Sequence, residues 1–446
     1  MMKNTIRAAL CLTLLFALSG CGMFDFADNW FTSTKKSKLK GERISVMSLD
    51  ESLKPDPTLK DVAVQLPPPY KNDSWPQPGG YPANAMYHLQ APGGLKQLWA
   101  QDTGKGSDDA SRLTAPPVVA DGRVFVLDSA SHLFAFKAGS GEPLWDKDLA
   151  PKNPSSGFDW TMGLIANSHD IDPSKGFGGG IAYENGKDLW KTGLDVPIVD
   201  APTANGGRVF ICTQDNHFYA LAETDGRKLW DHQGIAESAG VLESTSPAVS
   251  GDYVIAPYSS GELFAIRVEN GRPAWNDMLT RSGNVTAMSE LDDIAGRPVI
   301  DRNMVFAISH SGIMAAINLD TGDRVWTRDI GGIQTPWVAG DFLYVTTTEG
   351  ALLCLERKDG RVKWVHQLQR WQNMKDKEDT IVWSGPVLVS DRLILVSSDG
   401  YAISVSPYTG QLLGRVQIPD GTYISPVVAN GTLYLLTNNA QLVALR

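Results

Sequence analysis

The 446-residue chain has little cysteine and little charge. Cysteine occurs four times, at Cys11, Cys21, Cys212 and Cys354, with no CxxC and no adjacent pair. That excludes a disulfide framework and a CxxC redox motif. Charged residues make up 20% of the chain, and 40 basic against 50 acidic side chains leave a net charge of -10. A phosphate-backbone binder needs a basic face, so the expected partner is not nucleic acid. The seven histidines show no HxH or HxxxH spacing, which removes the usual zinc patterns. There is no P-loop, no GxSxG and no GxGxxG after a strand; Gly178-Gly179-Gly180 precedes a short apolar run and reads as a turn. The stretch from Asp170 to Gly176 comes nearest to a calcium loop, but its glycine is one position late and Ile181 stands where a glutamate is needed. No metal is expected. A sustained 3.6-residue apolar period is also missing, which excludes a helical repeat.

What is present begins with an address. Lys3 and Arg7 precede an apolar run from Ala8 to Leu18, too short to span a bilayer and laid out as a secretory signal over residues 1–20. The run ends Leu18-Ser19-Gly20-Cys21. This resembles the bacterial lipobox, which implies lipidation of Cys21 and a membrane anchor there, since each buried CH₂ contributes about 0.8 kcal/mol. Gly22 follows where an Asp would favour the inner membrane, which points to outer-membrane sorting. Residues 21–91 then read as a lipid-anchored tether, partly disordered and rich in proline (Pro67-Pro68-Pro69, Pro76, Pro78, Pro82), favouring extended chain. Within it 32–65 reads as solvated spacer, while Trp30, Phe31, Trp75 and Tyr87 can dock onto the domain or a partner.

From residue 92 to 446 one unit recurs: a Pro-Val-like strand, a turn at Gly, a second apolar strand, a third ending Ala-aliphatic, then Gly-x-x-x-Trp. The tryptophans fall at 99, 145, 190, 230, 275, 326 and 364; Gly414 replaces the next one, and the last unit stops at Arg446 before its fourth strand. Short β-branched runs split by Asp-Gly and Asn-Gly turns are hairpin signals, and four of them per unit match a propeller blade. Each Gly fits a turn with φ > 0, and each Trp offers a flat surface to wedge between blades. Leu95 to Gln101, an orphan outer strand, is expected to complete the C-terminal blade and close the ring. The expected fold is therefore all-β, an eight-bladed β-propeller with one irregular or truncated blade around 150–190: either 158–166 partly rebuilds that blade, or it is truncated. A seven-bladed ring with an insertion is the alternative. Cys212 and Cys354 sit in apolar runs and read as small buried hydrophobes.

The pattern Ala-aliphatic-x₄-Gly-x₃-Trp, as in ALAETDGRKLW and AINLDTGDRVW, resembles the pyrroloquinoline-quinone-type propeller repeats. These occur in quinoprotein dehydrogenases and in the BamB family of lipoproteins of the outer-membrane β-barrel assembly machinery. The dehydrogenases use a vicinal disulfide and a Ca²⁺ cluster, for which this sequence has no counterpart. The resemblance to the BamB family, joined to the lipobox, implies a non-enzymatic scaffold with no cofactor. Its expected place is the periplasmic face of the outer membrane. Its expected partners are the periplasmic domains of the central barrel-assembly protein and unfolded outer-membrane protein clients. A quinone-dependent periplasmic oxidoreductase or a degenerate ligand-binding propeller is the alternative.

The same resemblance implies a partner-binding surface in two loops. The first matches Ala239, Val241 and Leu242 before Ser246-Pro247, with Leu242 standing where the family has Arg. The second contains Asp292 and Asp293 before Pro298; Asp293 falls on the first acid of the family's Asp-x-Asp and Ala295 on the second. Loss of the Arg removes a bidentate donor, so Leu242 would act as an apolar anchor. Residues 369–378, with Arg370 and Trp371, form a charged loop that is a further candidate contact.

Overall fold

The computed structural model describes residues 53–446 except 93, 109–110, 151–176, 182–184, 195, 197, 199, 237–244 and 281–291. Residues 49–446 form one compact unit; the other unit, Met1–Ser48, lies outside the described residues, as do Cys21 and the Asp170–Gly176 stretch. The described part is a β-propeller. Seven four-stranded antiparallel sheets follow one another along the chain, at 118–148, 203–233, 248–278, 299–328, 337–367, 383–417 and the closing sheet. In each, the short first strand is buried, and the first strands of neighbouring sheets approach one another around the axis. The last strand alternates exposed and half-buried positions, as in Pro143–Asp148 and Pro273–Met278, and faces outward.

Closure occurs where the sequence places it. The strand Gln97–Asp102 pairs antiparallel with the C-terminal strand Gln441–Leu445, Ala100 opposite Val443 and Asp102 opposite Gln441. The first and last described strands of the ring thus share one sheet, which leaves no open edge between them.

Seven four-stranded blades are described, and the unit expected to be irregular contributes a two-stranded sheet, Phe177–Ile181 with Asp188–Gly193. The stretch 158–166, the candidate to rebuild it, lies outside the described residues.

Tryptophan and glycine make the joints. Each indole packs against the turn glycine of the next unit: Trp99 on Gly141, Trp145 on Gly186, Trp190 on Gly226, Trp230 on Gly271, Trp275 on Gly322, Trp326 on Gly360 and Trp364 on Gly410. All seven glycines have positive φ, from 69° to 77°. A Cβ at Gly226 would lie 2.2 Å from Trp190 Cε3, so the turn needs glycine for space as well as for conformation. The indole N–H also donates to the carbonyl three residues before that glycine, as Trp190 does to Glu223 at 2.9 Å and Trp275 to Leu319 at 2.7 Å. Gly414 stands in for Trp beside the closing blade. In that blade the third and fourth strands come from opposite chain ends, so there is no turn to receive an indole.

The expected tether over 21–91 is also corrected. From residue 53 the chain is a strap packed on the ring, with Leu59, Trp75, Met86 and Leu89 buried. It starts at the rim, where Asp56 N–H donates to Val362 O at 2.8 Å and Lys363 Nζ donates to Leu59 O at 2.6 Å. It then bonds to the first strand of every four-stranded blade in ring order. Asn72 Nδ2 donates to Val428 O at 2.5 Å, and Val119 and Trp75 exchange two bonds at 2.7 and 2.8 Å. Ala204 N–H donates to Gln77 Oε1 at 2.9 Å, Val249 to Pro82 O at 2.6 Å and Ile300 to Ala83 O at 2.9 Å. Trp337 Nε1 donates to Tyr87 O at 2.6 Å, and Leu89 N–H to Leu388 O at 3.1 Å. First strands have no neighbour on their axial side, and buried amides without partners cost about 1–3 kcal/mol each, so the strap supplies the missing edge.

Candidate functional site

In sequence, both partner motifs lead into first strands of blades, Ala248–Ser250 and Val299–Asp301. Ala239, Val241 and Leu242 fall outside the described residues. The first motif resumes at Thr245 and Ser246, both buried; Thr245 O accepts from Ala201 N–H at 2.7 Å and Pro247 O from Thr203 Oγ1 at 2.7 Å.

In the second motif the two acids part company. Asp292 is half-buried, with its carbonyl and Cβ beside the turn at Gly261. Asp293 is only 7% exposed, and its carbonyl accepts from His310 N–H at 2.9 Å. Ile294 and Ala295 are buried after it. The Asp293 side chain faces inward, where burial and then its negative charge push the Asp200 carboxyl well above its ordinary range while Arg297 opposes them. Asp292 keeps its Oδ1 buried as well, and nothing in the sequence distinguishes the more deeply buried acid from the half-buried one, because adjacent loop residues carry no periodicity.

Beside this group Cys212 is buried, and burial followed by the Asp200 charge pushes its thiol up. Cys354 is buried in another blade, its thiol raised by burial; both are free and serve as core. Nearby, His232 Nδ1 lies 2.8 Å from Tyr258 Oη, and burial lowers the His232 pKa. Among the described residues no three His, Cys, Asp or Glu side chains gather as metal ligands. The 369–378 segment, expected as a loop, contains a hairpin, Trp371–Asn373 with Glu378–Thr380, bearing Arg370 over the Trp371 ring and Met374 62% exposed.

The ring of four-stranded antiparallel sheets defines a β-propeller, a fold whose function resides in its connecting loops. The chain belongs to the family described as outer membrane protein assembly factor BamB, whose model matches residues 83–162 and 171–366, more than half of it. Curated relatives of that name include the Moranella endobia protein, 22% identical over 359 residues with 78% of this chain and 90% of the relative covered. The Shewanella oneidensis protein is 23% identical over 371 residues, covering 81% and 91%. Among solved structures, BamB from Moraxella catarrhalis superposes with a TM-score of 0.64 at 16% identity, covering 79% of this chain and 99% of that one. That likeness is one of fold.

Proposed function

We propose that the protein is a scaffold of outer-membrane protein assembly, held at the periplasmic face of the outer membrane through a lipid on Cys21. The observation that carries the reading is the family match over residues 83–162 and 171–366, joined to a propeller whose blades are linked by loops. The loop 237–244 and the half-buried acid Asp292 form the docking surface for the periplasmic domains of the central barrel-assembly protein. Leu242 is its apolar anchor and Val241 and Ala239 flank it, while Asp293 positions the loop from within. Client strands meet outer blade edges, because the axial edges are occupied by the strap. The ring has eight positions: the sheet of 177–193 holds the eighth, because Trp145 reaches its Gly186 and its Trp190 reaches Gly226 of the next blade.

Detergent co-purification tests this reading. Leu242→Arg and Asp292→Arg should each lower recovery of the barrel-assembly protein while thermal melting stays as in wild type. Unchanged recovery for both discards the surface. Cys21→Ala should move the protein from the membrane to the soluble periplasmic fraction; retention on membranes after a salt wash discards the acyl anchor.

A further inference from the structure

The strap closes one end of the axial channel and leaves a blind cup of about 630 Å³ above it. Its floor is built from strap residues packed without slack. A Cβ on Gly79 would lie 1.7 Å from Asn84 Oδ1, and Asn84 is itself held by its Nδ2 donating to Pro298 O at 2.9 Å. Trp75 of the floor stacks with Trp337 of the wall, ring centroids 6.4 Å apart. Leu113, Ile333 and Ile424 continue the apolar wall. A cavity of this size and lining is in the range that encloses a small organic molecule.

Among the described residues the charge lining the cup has one sign: Arg112 and Arg297 line it, and no carboxylate does. Arg297 is turned to the wall, its Nη1 3.5 Å from Thr335 Oγ1 and its charge acting on Asp200. Arg112 stands exposed over the Tyr423 ring at 5.8 Å, with no carboxylate partner among the described residues. The chain as a whole carries -10, so a cationic apolar cup runs against the overall charge.

We propose that the cup is a binding site for a small amphipathic anion, with a flat apolar body against the Trp75–Trp337 corner and one anionic head on Arg112. A guanidinium and an anion make a charge-assisted bond, and the aromatic and aliphatic wall removes the body from water. The site does not depend on the scaffold reading: the cup shares Ala295 and Arg297 with the second docking loop, but its anion head rests on Arg112, which lies in neither docking loop, so either stands without the other.

Calorimetric titration of the purified full chain with 1-naphthoate and with 1-naphthalenemethanol tests it. The expected result is one-to-one binding, with the acid bound roughly tenfold more tightly than the alcohol. Arg112→Ala should abolish that difference, and Thr335→Trp, which fills the cup, should abolish both titrations while leaving a cooperative melt. Ile333→Trp on the same wall replaces it if Thr335→Trp unfolds. Equal affinity for acid and alcohol, binding that survives a filled cup, or no binding at millimolar ligand overturns the site. Loss of assembly-complex recovery in Arg112→Ala without naphthoate binding assigns the mouth to a protein segment instead, and also overturns it.

Discussion

Trp75 and Val119 exchange two backbone hydrogen bonds, 2.7 and 2.8 Å, across a gap of 44 residues in sequence. One residue lies in a proline-rich segment and the other in the first strand of a blade. The pair makes that segment part of the propeller, and its indole is 4% exposed. Trp75→Ala should therefore cost about 3–5 kcal/mol, the range for a buried aromatic cavity. Removing residues 1–91 should lower the melting temperature further than any single strap substitution. Chemical denaturation of the truncated and full-length chains checks this; equal midpoints would make the strap an ornament.

Two glycines with the same φ, +70°, separate strain from collision. A side chain at Gly122 meets nothing within 4 Å, whereas at Gly226 it meets the Trp190 ring. Gly122→Ala should cost about 1–2 kcal/mol from the left-handed backbone alone. Gly226→Ala should cost about 1–3 kcal/mol more through overpacking, measured as the difference between denaturation midpoints.

The buried Asp200 carboxyl, raised by burial and by Asp293, gives a pH dependence of definite sign. A group with a raised folded pKa holds its proton in the native state, so its contribution to stability falls as pH rises above the ordinary range near 3.8. Asp200→Asn should therefore stabilise the protein at pH 8, by on the order of 1 kcal/mol or more, and change little near pH 4. Melting curves across that range check it, and a benefit that grows as pH falls would refute the assignment.

Cys212 and Cys354 are both buried, with thiols pushed above their ordinary range. Neither should react with a thiol reagent in the native state, and both should react in denaturant. Reaction-time curves with and without guanidinium read this directly.

The ring was legible because its joints are side-chain events at fixed spacing. Gly-x-x-x-Trp marks a turn with φ > 0 and the indole that fills the space beside the next such turn, and both leave a residue-type signature. Gly414, which looks like decay of the repeat, is the complement of a blade without a turn. The strap was not legible, because it bonds mainly through backbone groups at Trp75, Pro82, Ala83 and Leu89, one contact per blade in most cases. Its side-chain contributions, from Asn72, Gln77 and Asn84, follow no period. The acids at 292 and 293 were found by resemblance, but which of them points inward depends on the neighbouring blade, through Asp200 and Tyr258, more than 30 residues away in sequence.

Where the strap grips the rim sets the length of the leash. Were Cys21 acylated as proposed, the chain from there to Ala91 would reach about 240 Å at full stretch. With Asp56 bonded to Val362, the stretch from Cys21 to Asp56 would reach at most on the order of 120 Å. Half the leash has become part of the wheel, and the circle within which the ring can find its partners shrinks accordingly.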